Sequence, residues 1–148
     1  KWSAYMPVCM QRAATLLALG EKSALTAARA CVEQDPVRDA YFTLARASAK
    51  LGPKGAEITV YLEARRRFGD SVPLAEKLAR AYLTDAQHDK ALEVAEDMLR
   101  QASKWQQTAR AHQLMSNINK AMGQAHSAQY HLEQARAIRA QHIVPRSK

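Results

Sequence analysis

The segment Ser71–Ala102, SVPLAEKLARAYLTDAQHDKALEVAEDMLRQA, decides the fold. Leu74, Leu78, Ala81 and Tyr82 recur at steps of three and four, which sets them along one face of a helix. Ser71, or Asp70 before it, offers a side-chain oxygen as an N-cap, and Pro73 suits the first turn, where an N–H has no helical partner. A second apolar stripe follows through Ala91, Leu92, Ala95, Met98 and Leu99. Two helices with a short turn between them make a hairpin. Alanine at 79, 91 and 95 keeps the contact small, so the two helices are expected to approach closely.

The same layout recurs on both sides of this segment. A shift of 34 residues backwards carries Leu78-Ala79 onto Leu44-Ala45, Ala86 onto Gly52, Ala95 onto Tyr61 and Met98 onto Ala64. A shift of 37 forwards carries Ala79 onto Ser116, Ala86 onto Gly123, Ala91 onto Ala128 and Met98 onto Ala135. From Ala45 and Gly52, a further 32 backwards reaches Ala13 and Gly20. Repetition at this period signals stacked supersecondary units, each covering the open face of the next. Eight helices are predicted, with Ser23, Asp35 and Ser103 as N-caps of the second, third and seventh. Gly20 and Gly123 stop the first and seventh, and Gly52-Pro53 stops the third. About three extra residues near Lys104–Gln107 read as an insertion before the seventh helix. Trp105 there is expected to staple the segment to the core, the alternative being an exposed anchor for a partner. No segment reads as a strand.

Composition agrees. Hydrophobic residues make up 47% of the chain but aromatics only 6%, so alanine and leucine, both strong helix formers, carry the apolar share. Five glycines and five prolines are too few for a loop-dominated fold.

These features together resemble the tetratricopeptide repeat: a helix pair of about 34 residues with a small residue at its eighth position and alanine near its twentieth. In the third unit Ala79 and Ala91 fill those positions, and Tyr82, Ala95 and Met98 match others. The fourth keeps Ser116, Gly123, Ala128, Leu132 and Ala135, and the second keeps Tyr41, Leu44-Ala45, Gly52, Tyr61 and Ala64. The second departs at Glu57, where the family has alanine. The first is the weakest match, with Arg12 at an apolar position. The resemblance implies an all-α, right-handed superhelical array of antiparallel helix pairs, an α-α solenoid. It would form a single domain over 1–148, in units of about 3–35, 36–70, 71–103 and 104–142 with a tail at 143–148.

It also implies a function. In that family the first helix of each pair lines a concave groove. Carried across, the second unit supplies Asp39, Phe42, Arg46, Ala49 and Lys50. The third supplies Pro73, Glu76, Arg80, Leu83 and Thr84, and the fourth Arg110, Gln113, Asn117, Lys120 and Ala121. The first would supply Met10, Ala14, Leu17 and Ala18. Phe42 would be an apolar anchor and the arginines would meet acidic groups, with Asp39 and Glu76 partly neutralising Arg46 and Arg80. Stacking of the second and third units would set Arg46 and Arg80 on adjacent first helices, roughly 10 Å apart. Met10, Ala14 and Thr43 stand where the chaperone-tail binders of the family carry a lysine and two asparagines, so that ligand is not expected. The reading is a scaffold or adaptor for a protein or peptide, acidic in part. The alternative is a section of a longer solenoid in a bacterial secretion, assembly or polysaccharide-export machine.

The formal charge of +8 favours acidic partners without choosing among them. RNA-reading helical repeats would need matching polar side chains in successive units, which are absent here, so nucleic acid ranks last. No apolar run is long enough to span a membrane. The chain begins at Lys1 rather than Met, as a fragment or processed product would, and its compartment stays open between cytoplasm and bacterial periplasm. No HExxH, paired CxxC, GxGxxG or GxxxxGK[ST] occurs. The chain therefore reads as a non-enzyme with no cofactor and no metal, its five histidines exposed or in turns. Arg65-Arg66-Arg67 fall where a helix ends, and there cations complement the dipole. Cys9 and Cys31 fall near the adjacent ends of one hairpin, so a bridge is geometrically possible. Two buried free thiols are the favoured state, and export would favour the bridge.

Overall fold

The structure, a computed structural model, describes residues 5–143, with side chains from Val8 onward. Among these residues there are eight helices and no strand. They are α1 (Tyr5–Ala18), α2 (Ser23–Gln34), α3 (Arg38–Leu51), α4 (Ala56–Phe68), α5 (Val72–Thr84), α6 (His88–Gln101), α7 (Trp105–Ala121) and α8 (Ala125–His142). The pairs α1/α2 to α7/α8 fall within the four units expected from the repeat. The first residues of the first unit, and the expected tail after Ile143, lie outside the described residues.

The chain divides into two compact units, Lys1–Gly69 and Asp70–Lys148, each holding two helix pairs. In the first, α1 packs on α2, α2 on α3 and α3 on α4, and α1 also meets α3 directly. The second repeats the scheme, with α5·α6, α6·α7, α7·α8 and a direct α5·α7 contact. Side-chain pairs show the antiparallel sense of each hairpin. Tyr41 meets Phe68 while Phe42 meets Tyr61. On the last hairpin Trp105 meets His142, His112 meets His131 and Ser116 meets Ala128, stepping along α7 and back along α8.

Burial follows the repeat. The eighth-position residues Ala13, Ala45, Ala79 and Ser116 are all buried. Cys31, Ala64, Met98 and Ala135, at equivalent sites on the second helices, are all 0% exposed. Such positions leave no room for a larger side chain, because interiors are close-packed. Ser116 replaces the usual alanine and donates its hydroxyl proton to the Ala128 carbonyl at 2.7 Å, so the buried oxygen is satisfied.

The turns explain where the helices stop. After α1, the Gly20 N–H reaches Leu17 O and the Glu21 N–H reaches Leu16 O. The turns after α5 and α7 reproduce this pattern, with Ala86 to Leu83 and Gln87 to Tyr82, then Gly123 to Lys120 and Gln124 to Asn119. All three central residues are left-handed, at φ 73° for Gly20, 59° for Ala86 and 75° for Gly123. Alanine is the strained member, because its Cβ crowds the backbone there. Ala86→Gly is therefore expected to stabilise the protein by about 0.5–1 kcal/mol, read as a rise in the denaturant midpoint at constant slope. An unchanged or lower midpoint would show that this turn is not strained. Gly52 works differently. Its φ is −86°, but a Cβ there would stand 2.6 Å from the Ser48 carbonyl oxygen.

Several local expectations need correction. Ser71 does cap α5, accepting from the Leu74 N–H at 3.4 Å. Ser23 does not cap α2: Lys22 is the N-cap, with helical dihedrals, and Ser23 Oγ donates to Glu21. Asp35 terminates α2 instead of starting α3, whose N-cap is Val37. Before α7 the cap is Lys104 rather than Ser103, and the Gln107 side chain reaches back to accept from both backbone N–H groups. Trp105 is the first residue of α7, so the extra residues lengthen the helix and form no insertion loop. Cys9 and Cys31 are not free thiols. They form a disulfide between the start of α1 and the end of α2, with Cα atoms 5.9 Å apart, inside the range a bridge requires.

Candidate binding surface

The direct contact of α1 with α3 leaves a depression in the first unit. It measures about 510 Å³ and is lined by Ala14, Leu17, Ala18, Arg46, Ala49 and Lys50. All six are residues that the repeat register assigns to the groove. The shape has a simple origin. Three alanines leave space between the helices, and the buried Leu17 forms an apolar floor.

Two cations edge this floor, and they differ in role. The Lys50 ammonium donates to the Leu17 carbonyl at 2.9 Å, which satisfies an acceptor at the C-terminal end of α1 and ties α3 to it. Arg46 is exposed and makes no ion pair among the described residues. Its charge reaches the neighbouring Tyr61 phenol. Burial and then the Glu57 carboxylate raise the Tyr61 pKa, while Arg46 opposes both. Asp39 does not neutralise Arg46; it is exposed on the first turn of α3, and its carbonyl accepts from the Thr43 hydroxyl. Phe42 is a partial anchor at most, being half-buried with its ring edge-on to Tyr61 at 6.3 Å.

In the second unit the predicted residues compensate one another. The Glu76 carboxylate meets Arg80 at 3.1 Å on its own helix and Arg110 of α7 at 3.3 Å. Both arginines are more than half exposed, so these pairs balance charge and add little stability. The Thr84 hydroxyl donates to the Arg80 carbonyl. Gln113 donates to Asn117 and accepts from Arg139 of α8, while Lys120 stays exposed. The predicted surface thus divides. Its first-unit part is apolar and edged by two cations without a carboxylate partner among the described residues, and its second-unit part is polar, with one carboxylate shared by two arginines.

Of two further features of the second unit, the fastening role of Trp105 was expected and the histidine pair was not read from the sequence. Trp105 stacks on His142 with centroids 4.8 Å apart and planes 6° from parallel, fastening the start of α7 to the end of α8. His112 and His131 are half-buried rather than exposed or in a turn, and their Nδ1 atoms are 3.0 Å apart. Desolvation pushes both imidazoles below the ordinary histidine pKa. At His112 the His131 charge lowers the pKa further, and Glu96 partly offsets the shift at His131. The two lie nineteen residues apart, beyond any single-helix spacing, but nearly mirrored about the turn at Gly123. That mirror relation was the available signal.

Arg65, Arg66 and Arg67 occupy the last turn of α4, the position expected of charges that complement its carbonyl end. Among the described residues no helix is long and apolar enough to cross a membrane, and no three acidic, histidine or cysteine side chains cluster as a metal site. Compared with known proteins, the chain matches no family model and no curated sequence.

Proposed function

We propose that this chain is a tetratricopeptide-like scaffold that holds a partly acidic segment of another protein along its first helices. One observation carries the reading: the depression between α1 and α3 is lined wholly by groove-register residues and edged by the uncompensated Arg46. An apolar floor beside a free guanidinium suits a carboxylate next to a small apolar side chain. The four-fold recurrence of buried small residues supports repeated helix pairs of the same internal packing.

The test is selection from a displayed peptide library, followed by affinity measurement on the enriched sequences. Acidic peptides are expected to dominate, with association that slows as salt rises. Arg46→Glu should weaken them by at least about tenfold, roughly 1.4 kcal/mol or more, without altering the melting curve. Arg80→Glu should matter less, because Arg80 already pairs with the Glu76 carboxylate it shares with Arg110. The control, Arg65→Glu with Arg66→Glu, alters charge on the other helix of the pair. If that control destroys binding while Arg46→Glu does not, the partner lies elsewhere and the groove assignment fails.

A second reading, a section of a longer solenoid, has its own observation. The outer face of the first hairpin carries a depression of about 580 Å³ whose lining includes Val8, Leu16, Ala27 and Ala30. Val8 is 64% exposed there. The lining also holds Arg12, Glu21, Ser23, Thr26 and Gln34, and an open hairpin face of this mixed kind is what a further helix pair would cover. The disulfide, a bond that persists in oxidising compartments, adds weight to an exported assembly.

A further inference from the structure

We propose that His112 and His131 form a two-nitrogen site for a first-row transition-metal ion with cis coordination positions, Cu²⁺ or Ni²⁺. The sequence alone predicted no metal. The pair comes from facing positions on α7 and α8, and two packed helices hold it in place. Nitrogen ligands bind such ions at about 2.0–2.1 Å. Two nitrogens 3.0 Å apart then subtend an angle near 90° at a shared ion. That is the cis angle of square-planar or octahedral geometry, the preference of Cu²⁺ and Ni²⁺. A tetrahedral ion would need the nitrogens about 3.4 Å apart at the same bond length, so Zn²⁺ fits less well.

The chemistry balances without an added reagent. In the metal-free pair one Nδ1 carries the hydrogen and the other accepts it. On metal binding, that hydrogen moves to Nε2 of the same ring through solvent. Both Nδ1 lone pairs then face the ion, and no net proton is released. Because both rings are only half-buried, water can complete the coordination sphere. Glu96 of α6 is the carboxylate whose charge acts on His131, and it supplies favourable negative potential. Tyr130 lies edge-on to the His131 ring, and the Arg139 guanidinium donates to Gln113.

The experiment uses the full, untagged chain stripped with EDTA and titrated with NiCl₂ by calorimetry, and with CuSO₄ by electron paramagnetic resonance. One Ni²⁺ per chain is expected, in the micromolar range that two imidazoles provide. His112→Ala and His131→Ala should each weaken it at least tenfold, whereas His126→Ala, an exposed histidine outside the pair, should leave it unchanged. The copper spectrum should show coupling to two nitrogens in the wild type and to one in either pair variant. That readout follows ligation even where a variant loosens the hairpin. Absence of saturable binding up to millimolar Ni²⁺ overturns the proposal. So does binding that survives both pair variants, or that falls equally in His126→Ala.

Discussion

Ala79→Leu is expected to destabilise the protein by about 1–3 kcal/mol, and Ala91→Leu by a similar amount. At roughly 3 °C per kcal/mol for a chain of this size, each should lower the melting temperature by about 3–9 °C. Ala79 on α5 and Ala91 on α6 are both 0% exposed, on facing helices of one hairpin. Leucine adds three carbons to each site. In a close-packed contact those atoms must push the helices apart or force side chains off their rotamers. Leucine is nearly as good a helix former as alanine, so propensity accounts for little of the loss. The control is Ala137→Leu on the exposed side of α8, which should stay within about 0.5 kcal/mol of wild type. Thermal melts by circular dichroism decide the matter. Equal melting of Ala79→Leu, Ala91→Leu and wild type would mean that these alanines do not face a helix contact, and the repeat register would fall with them.

The helices were legible because they depend on periodicity, which survives in a single sequence. Steps of three and four located all eight helices. The recurrence of small residues at 13, 45, 79 and 116 identified buried contacts before any coordinates. Helix starts were less legible. Ser23 and Asp35 are good capping residues in isolation, but the backbone path of the preceding turn decides which residue leaves the helix first. After α1 that turn closes through Glu21 N–H to Leu16 O, which leaves Lys22 helical and Ser23 inside α2. Ser103 lies one residue before the N-cap, and its backbone N–H, with that of Lys104, donates to the Gln107 side chain reaching back from the first turn of α7.

The surface followed the same division. Which residues of α1 and α3 share one face is fixed by helical phase, and all six residues lining the depression were in the predicted set. Which charges cancel is fixed by distances between helices. Glu76 meets Arg110 across 34 residues of chain, while Asp39, one helix turn from Phe42, leaves Arg46 unmet. The His112–His131 contact is of the same kind, since only the antiparallel register of the hairpin brings the rings together.

Reducing the disulfide is expected to cost about 3 kcal/mol and to lower the melting temperature by about 9 °C. Cys9 and Cys31 are 22 residues apart, and the bond closes the α1/α2 hairpin opposite its turn. In the chain-entropy account, the link restricts the unfolded ensemble more than the folded hairpin, whose ends already meet. The effect should therefore concentrate where the link acts. Amide exchange should quicken in α1 and α2 of the reduced protein and stay unchanged in α5–α8, which belong to the second unit. Reduced wild type is the better comparison than Cys31→Ala. The Cys31 side chain is fully buried, so its truncation adds a cavity cost that reduction does not. Cys9→Ala with Cys31→Ala should accordingly melt below the reduced wild type, and the difference between them measures the packing of sulfur. Because Ala14, Leu17 and Ala18 of α1 line the depression, reduction should also weaken a ligand held there. Unlike Arg46→Glu, it should do so with a lowered melting curve. Equal melting of oxidised and reduced protein would show that α1 and α2 hold together through apolar contact alone. The bond would then contribute nothing to the stability of the first unit.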